Sequence, residues 1–192
     1  GSLTKQFTAA AVLRLAEDGR LALDDTLGAF LPGFDTGGRR VTVRQLLTHT
    51  SGLKSYTDLE AFWEKSRLDL THRELLSLLG DDPFQFEPGT SYAYSNTGYF
   101  VLGMILEEVT GRDYGDWMRE ELFRPLGLDH TRYCSGRPVI EGRAEGYRVA
   151  DDGELVNDEP LSMAGPFAAG ALCSTVGDLL AWSRALHGGR VV

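Results

Sequence analysis

Gly1-Ser2-Leu3-Thr4-Lys5-Gln6-Phe7-Thr8-Ala9-Ala10-Ala11-Val12-Leu13 reads as the start of a helix. Ala9, Ala10 and Ala11 are strong helix formers. Leu3, Phe7, Ala10 and Ala11 fall at helical spacing and make an apolar stripe. The helix is expected from Leu3 to Glu17, closing at Asp18-Gly19 with the glycine as cap. Ser2 and Lys5 share one face, so their side chains can meet. A serine hydroxyl is a poor nucleophile until a base takes its proton. A lysine amine is such a base only when neutral, and burial favours the neutral form. Ser2 and Lys5 are therefore a candidate catalytic pair. Ser51-Gly52-Leu53-Lys54 repeats the spacing, but Gly52 makes it read as a turn, and it is set aside.

The second informative stretch is Tyr92-Ala93-Tyr94-Ser95-Asn96-Thr97-Gly98-Tyr99. It precedes a helix expected from Thr97 to Val109, with Phe100, Val101, Met104, Ile105 and Leu106 apolar and Gly111 as cap. Tyr94 and Asn96 would put a phenol and a carboxamide on one short loop. A phenol can relay a proton to a leaving group, and a carboxamide can hold a substrate amide or the lysine. Tyr94 and Tyr99 both also suit burial with one partner. Its position in Tyr94-x-Asn96 favours Tyr94 for the site.

These stretches resemble the serine β-lactamase and penicillin-binding family, in the branch of class C β-lactamases, D-Ala-D-Ala carboxypeptidases and related esterases. Leu46-Leu47-Thr48-His49-Thr50-Ser51-Gly52-Leu53 and Pro125-Leu126-Gly127-Leu128 with Thr131 match in the family's order. So does Gly170-Ala171-Leu172-Cys173-Ser174-Thr175 with Asp178-Leu179. The resemblance implies an α+β fold, the β-lactamase/transpeptidase-like fold, of which this is the mainly helical portion. It implies strands before the nucleophile helix and a Lys-Thr-Gly or His-x-Gly strand near the end, neither of which is found here. The expectation is a single domain over 1–192, truncated at both ends, with most of the central antiparallel sheet missing.

The implied mechanism is acyl transfer to water. Ser2 attacks a carbonyl; Lys5, or Tyr94 with Lys5 beside it, takes the proton; Asn96 orients the substrate or the lysine. The Ser2 backbone N–H supplies one oxyanion donor, and losing the other typically costs ~10²–10³ in rate. The stretch alone is thus expected to be nearly inactive. A β-lactam, a D-Ala-D-Ala peptide and a small ester all fit the attack step. The competing readings are a non-enzymatic penicillin- or peptide-binding sensor on the same fold, and an inactive helical scaffold. His49 is expected to support the site rather than perform chemistry.

The resemblance implies a small-molecule or peptide substrate as the partner, and composition argues against other kinds. The chain has 192 residues and a net charge of −9, with 42% hydrophobic residues. That is enough apolar content for a core. The charge argues against nucleic acid, since phosphate binding needs a basic surface. No apolar run approaches the roughly 20 residues of a membrane span. The four histidines lack metal-ligand spacing, so neither a metal nor a cofactor is expected. Cys134 and Cys173 are each expected as a small buried apolar side chain in preference to half of a disulfide.

Elsewhere, Thr42 is expected to cap a helix from Val43 to Thr48. The segment Ser55–Asp69, with Tyr56, Phe62 and Trp63, fits either the rim of a substrate cleft or a short helix packing its aromatics down, and the second is preferred. Thr71 and Glu74 form a capping box before a helix burying Leu75, Leu76, Leu78 and Leu79. Asp113 or Tyr114 opens a helix with Trp117 inward. Arg143–Val149 and Glu154–Val156 should form a hairpin around Asp151-Asp152-Gly153. The small residues of Gly165–Gly170 suit close backbone approach. Thr175 caps a final helix through Leu186.

Overall fold

The computed structural model describes residues 1–192. Its helices are α1 (Thr4–Glu17), α2 (Leu27–Phe30), α3 (Val43–Leu47), α4 (Glu60–Glu64), α5 (His72–Ser77), α6 (Asn96–Thr110), α7 (Tyr114–Met118), α8 (Phe167–Gly170) and α9 (Val176–His187). A single π-helical segment, Arg119–Phe123, carries α7 onward. Four short strands, β1 (Arg132–Tyr133), β2 (Tyr147–Val149), β3 (Leu155–Asn157) and β4 (Leu172–Cys173), form two separate antiparallel pairs, β1 with β4 and β2 with β3.

The predicted stripe of α1 is buried except at Leu3, which is 62% exposed, and burial extends beyond it. Phe7, Ala10, Ala11, Val12 and Leu15 are buried, and so are Thr4, Lys5 and Thr8. A helix that hides polar residues as well as apolar ones lies inside the molecule. Phe7 stacks on Trp182 of α9 at 4.1 Å and meets Phe123 edge-on at 5.8 Å. α6 packs beside α1 and begins at Ser95, whose hydroxyl accepts the Gly98 N–H. It ends at Gly111 with φ +68°, the left-handed cap its sequence implies. α6 and α8 approach so closely that a Cβ at Gly103 would run into Ala168 and come within 2.5 Å of Phe167 Cε1.

The capping boxes at Thr42–Gln45 and Thr71–Glu74 are both formed. On α5 the buried face is narrower than expected: Leu75 and Leu79 are buried, Leu76 and Leu78 only partly. The hairpin is present with Tyr147 opposite Asn157, though its first strand begins at Tyr147 rather than Arg143 and its second is displaced by one residue. α2 has no counterpart in the sequence reading, because four residues are too few to show periodicity.

Two expectations are corrected. Cys134 and Cys173 are joined in a disulfide, with Cα atoms 5.4 Å apart. The β1–β4 pair sets Arg132 opposite Cys173, and Cys134 N–H donates to Ala171 O, which brings the thiols together across a separation of 39 residues. Trp63 does not pack down with its neighbours. Tyr56 and Phe62 are buried, but Trp63 is 56% exposed, with Nε1 donating to Thr57 O.

Candidate active site

Ser2 sits in the turn that leads into α1, where Lys5 N–H donates to Ser2 O. The Ser2 N–H has no acceptor within the chain. It is one of the orphan donors of a helix N-terminus, where the helix dipole favours negative charge. The Ser2 hydroxyl lies 2.7 Å from the Tyr94 hydroxyl, a contact across 92 residues of sequence.

Lys5, one turn on, is only 7% exposed. Its Nζ donates to Asn96 Oδ1 at 2.7 Å and to Ala169 O at 2.8 Å, and lies 3.4 Å from Ser2 Oγ. Both carbonyl oxygens can only accept, so each takes an N–H. The third position on Nζ faces Ser2. It holds a proton in the ammonium form and a lone pair in the amine form. Burial pushes the Lys5 ammonium below the usual lysine range, opposed by the neighbouring Tyr94 phenol. Nζ also lies over the Tyr94 ring, 4.8 Å from its centre.

The Tyr94 loop is braced by His49. Its ring lies 4.6 Å from that of Tyr94 and 5.1 Å from that of Tyr99. His49 Nδ1 accepts the Ser95 N–H at 3.1 Å. Burial, and then the charge of Lys5, hold its imidazole below the usual histidine range, so it stays neutral and able to accept. His49 has φ +58°, a left-handed conformation that costs of order 1–3 kcal/mol. The expected supporting role thus has a geometry. The tyrosine beside it, Tyr99, is buried and donates to Leu47 O.

The sequence reading brought forward Ser2, Lys5, Tyr94 and Asn96, and the fold brings all four together. It did not find Ala169, whose backbone oxygen holds Lys5, or Thr8, whose hydroxyl donates to Ala168 O at 2.7 Å. Those carbonyls are aimed by Phe167, whose φ of +37° is a bulky residue's outlier. A carbonyl has no sequence signature; the only signal was the run of small residues at Gly165–Gly170. It also missed Thr57 and Ser55, which hold Asn96. The set-aside Ser51–Lys54 pair points elsewhere: Ser51 Oγ accepts the Leu53 N–H, and Lys54 donates to Asp82 O.

Of the four, Ser2 and Asn96 line a cleft of about 610 Å³. Thr57, Trp63, Leu161, Met163 and the Cys134–Cys173 bridge are among its walls. The described residues hold no cluster of His, Cys, Asp and Glu suited to a metal ion, and no helix is long and apolar enough to cross a membrane.

A family model described as Beta-lactamase matches residues 1–192. Penicillin-binding protein 4* of Bacillus subtilis (strain 168) is 32% identical over 201 residues, covering 97% of this chain and 44% of its own length. Among solved structures, a D-stereospecific amidohydrolase from Streptomyces sp. superposes with a TM-score of 0.88 at 34% identity, over 100% of this chain and 61% of its own. The D-amino acid amidase from Ochrobactrum anthropi SV3, complexed with L-phenylalanine amide, gives a TM-score of 0.86 at 34% identity, over 100% and 55%. The chain therefore spans less than half of that curated relative and somewhat more than half of these two structures.

Proposed function

The chain belongs to the Beta-lactamase family, and from that premise we propose that it is the nucleophile-bearing part of a serine hydrolase that transfers an acyl group to water through Ser2. The observation that carries this reading is the 2.7 Å contact between Ser2 Oγ and Tyr94 Oη beside a buried Lys5. Tyr94 is the immediate proton acceptor, since its oxygen lies closer to Ser2 Oγ than Lys5 Nζ does at 3.4 Å. The pair acts with one proton removed: Lys5, as the amine, takes the Tyr94 phenol proton and, as the ammonium, holds the phenolate that serves as base. Ser2 Oγ bonds to the carbonyl carbon, its proton passes to Tyr94, and the negative charge on the carbonyl oxygen falls to the Ser2 N–H. Tyr94 then returns the proton to the departing amine or alcohol, leaving an ester on Ser2. Water repeats the sequence in reverse and frees the acid. Asn96 fixes Lys5 through Oδ1 and faces substrate with its amide.

A β-lactam, a D-Ala-D-Ala peptide and a small ester share this attack. The similarity to a D-amino acid amidase and a D-stereospecific amidohydrolase favours an amide. The relatives' greater length supports the reading that a second oxyanion donor and a further substrate-binding strand lie outside these residues, and with them most of the central sheet. In that case residues 1–192 alone turn over slowly, because one missing oxyanion donor typically costs ~10²–10³ in rate.

The test is labelling of the folded protein by a fluorophosphonate and a fluorescent penicillin, beside a Ser2→Ala control. Labelling that vanishes in the control is the expected result. A fluorophosphonate adduct on another residue, or equal labelling of the control, refutes the assignment of Ser2.

A further inference from the structure

The buried polar side chains of α1 are Thr4, Lys5 and Thr8, and all three close on the segment 168–172. Thr4 Oγ1 accepts the Leu172 N–H at 3.1 Å, Lys5 Nζ donates to Ala169 O at 2.8 Å, and Thr8 Oγ1 donates to Ala168 O at 2.7 Å. Thr8 also lies 2.8 Å from the Tyr114 hydroxyl and 3.5 Å from Thr4 O. The direction of this chain follows from counting protons. Tyr114 is 0% exposed, and Thr8 Oγ1 is the one group its hydroxyl meets. A phenol proton not given to Thr8 would be buried unpaired, which folded proteins avoid. Ala168 O can only accept. Tyr114 therefore donates to Thr8, and Thr8 donates to Ala168 O. Burial pushes the Tyr114 phenol well above the usual tyrosine range, so the first donor keeps its proton wherever Ser2 reacts.

The segment leaves a strained turn. Phe167 has φ +37°, which a bulky side chain keeps only where its surroundings over-determine it. Its ring packs on Tyr114 at 5.1 Å and on His72 at 4.5 Å. Ala168 O is the first carbonyl after Phe167, and Ala169 O is the next. Holding the first therefore aims the second.

We propose that Thr8 and Tyr114 are positioning residues for Lys5: the directed chain from Tyr114 through Thr8 to Ala168 O holds the turn at Phe167 so that Ala169 O meets Nζ. The inference rests on Ser2, Lys5 and Tyr94 as the reacting groups and adds what sets their proton balance. A hydrogen bond to the charged form of a group favours that form, so Ala169 O favours the ammonium over the amine. The ammonium is what keeps Tyr94 as phenolate. Without that oxygen the Lys5–Tyr94 pair gives up its proton at lower pH. More of the pair then stands as amine and phenol, and less as the phenolate that takes the Ser2 proton. Two changes therefore go together: the midpoint of reactivity falls, and so does the plateau above it.

The experiment measures the rate constant for fluorophosphonate labelling of Ser2 against pH on the full natural protein, with folding followed by circular dichroism. The reaction forms the Ser2 Oγ–P bond and breaks P–F, with fluoride leaving and the serine proton passing to Tyr94. Thr8→Val keeps the shape and removes the hydroxyl. It should move the midpoint to lower pH and lower the plateau by about tenfold or more, toward the ~10² that a 1 Å misplacement can cost. Thr8→Ser should restore both. Tyr114→Phe should act in the same direction with smaller effect, because Thr8 keeps its own proton for Ala168 O. Val12→Ala, a loss of packing on the same helix at a site 0% exposed, should lower the melting temperature and leave the midpoint in place. A midpoint that Thr8→Val leaves unmoved or raises overturns the proposal, whatever happens to the melting temperature. So does a Thr8→Ser that behaves like Thr8→Val. If Thr8→Val does not fold, Tyr114→Phe decides by the same criterion. These outcomes leave Ser2 in place; failure of the wild type to label at Ser2 at any pH refutes the Ser2 reading, and this proposal with it.

Discussion

Replacing Lys5 by Met isolates what the buried amine does. Methionine keeps an unbranched apolar stem of similar length, so α1 and its packing should survive. The change removes the donor that Nζ gives to Asn96 Oδ1 at 2.7 Å and to Ala169 O at 2.8 Å. Each orphaned acceptor costs about 1–3 kcal/mol if it stays buried. Relief from holding a cation in a site that is 7% exposed acts in the opposite direction. A folded protein of somewhat lower stability is expected. Ser2, by contrast, loses the group that holds the Tyr94 phenolate, and general acid–base assistance is worth ~10²–10⁴ in rate. The assay is the second-order rate constant for fluorophosphonate labelling of Ser2, measured against pH. In the wild type, burial lowers the Lys5 pKa, so labelling should rise with pH through a midpoint below the ordinary lysine value of 10.5. The stability sign follows. Between the folded and unfolded pKa values the unfolded chain binds more protons, so stability climbs with pH across that window, and the burial penalty is full below it. Lys5→Met should remove both that limb and the ~10²–10⁴ in rate. A variant that labels within about threefold of wild type, with the limb intact, would refute the role given to Lys5.

Tyr94→Phe should lower labelling by a similar ~10²–10⁴ while hardly moving the melting temperature, because the side chain is 44% exposed and its hydroxyl bonds only Ser2. Gly103→Ala forces a Cβ against Ala168 and Phe167 and should cost about 1–3 kcal/mol, read by urea unfolding. It should also slow labelling, since α8 carries the oxygen that holds Lys5. Cys134→Ser with Cys173→Ser opens a link across 39 residues and should remove about 4 kcal/mol, a drop of about 10 °C on thermal melting. An unchanged melting point in oxidising buffer would contradict the bridge.

The helical frame was legible where the sequence carries its own chemistry. α1, α6 and α9 announce themselves by apolar periodicity and by caps such as Gly111 and Thr175, because a helix of three turns or more is specified by neighbours three and four residues apart. The capping boxes at Thr42 and Thr71 were equally local. β1 and β4 were not legible. Two residues cannot show alternation, and what makes them strands is each other, 39 to 41 residues away. The disulfide was missed for the same reason. Trp63 was misplaced because periodicity cannot tell an aromatic side chain facing a cleft from one facing the core.

The sequence by itself determined which side chains could do chemistry: Ser2 and Lys5 one turn apart, Tyr94 and Asn96 on one loop, both spacings fixed by local backbone geometry. Only the tertiary structure decided that these two pairs meet at 2.7 Å, that His49 braces the phenol, and that Ala169, Thr57 and Ser55 complete the network. The physical reason is the nature of those partners. A backbone carbonyl belongs to every residue and a hydroxyl to many. Nothing in their identity marks them until burial deprives them of water and leaves a neighbour from a distant part of the chain as the only group that can satisfy them.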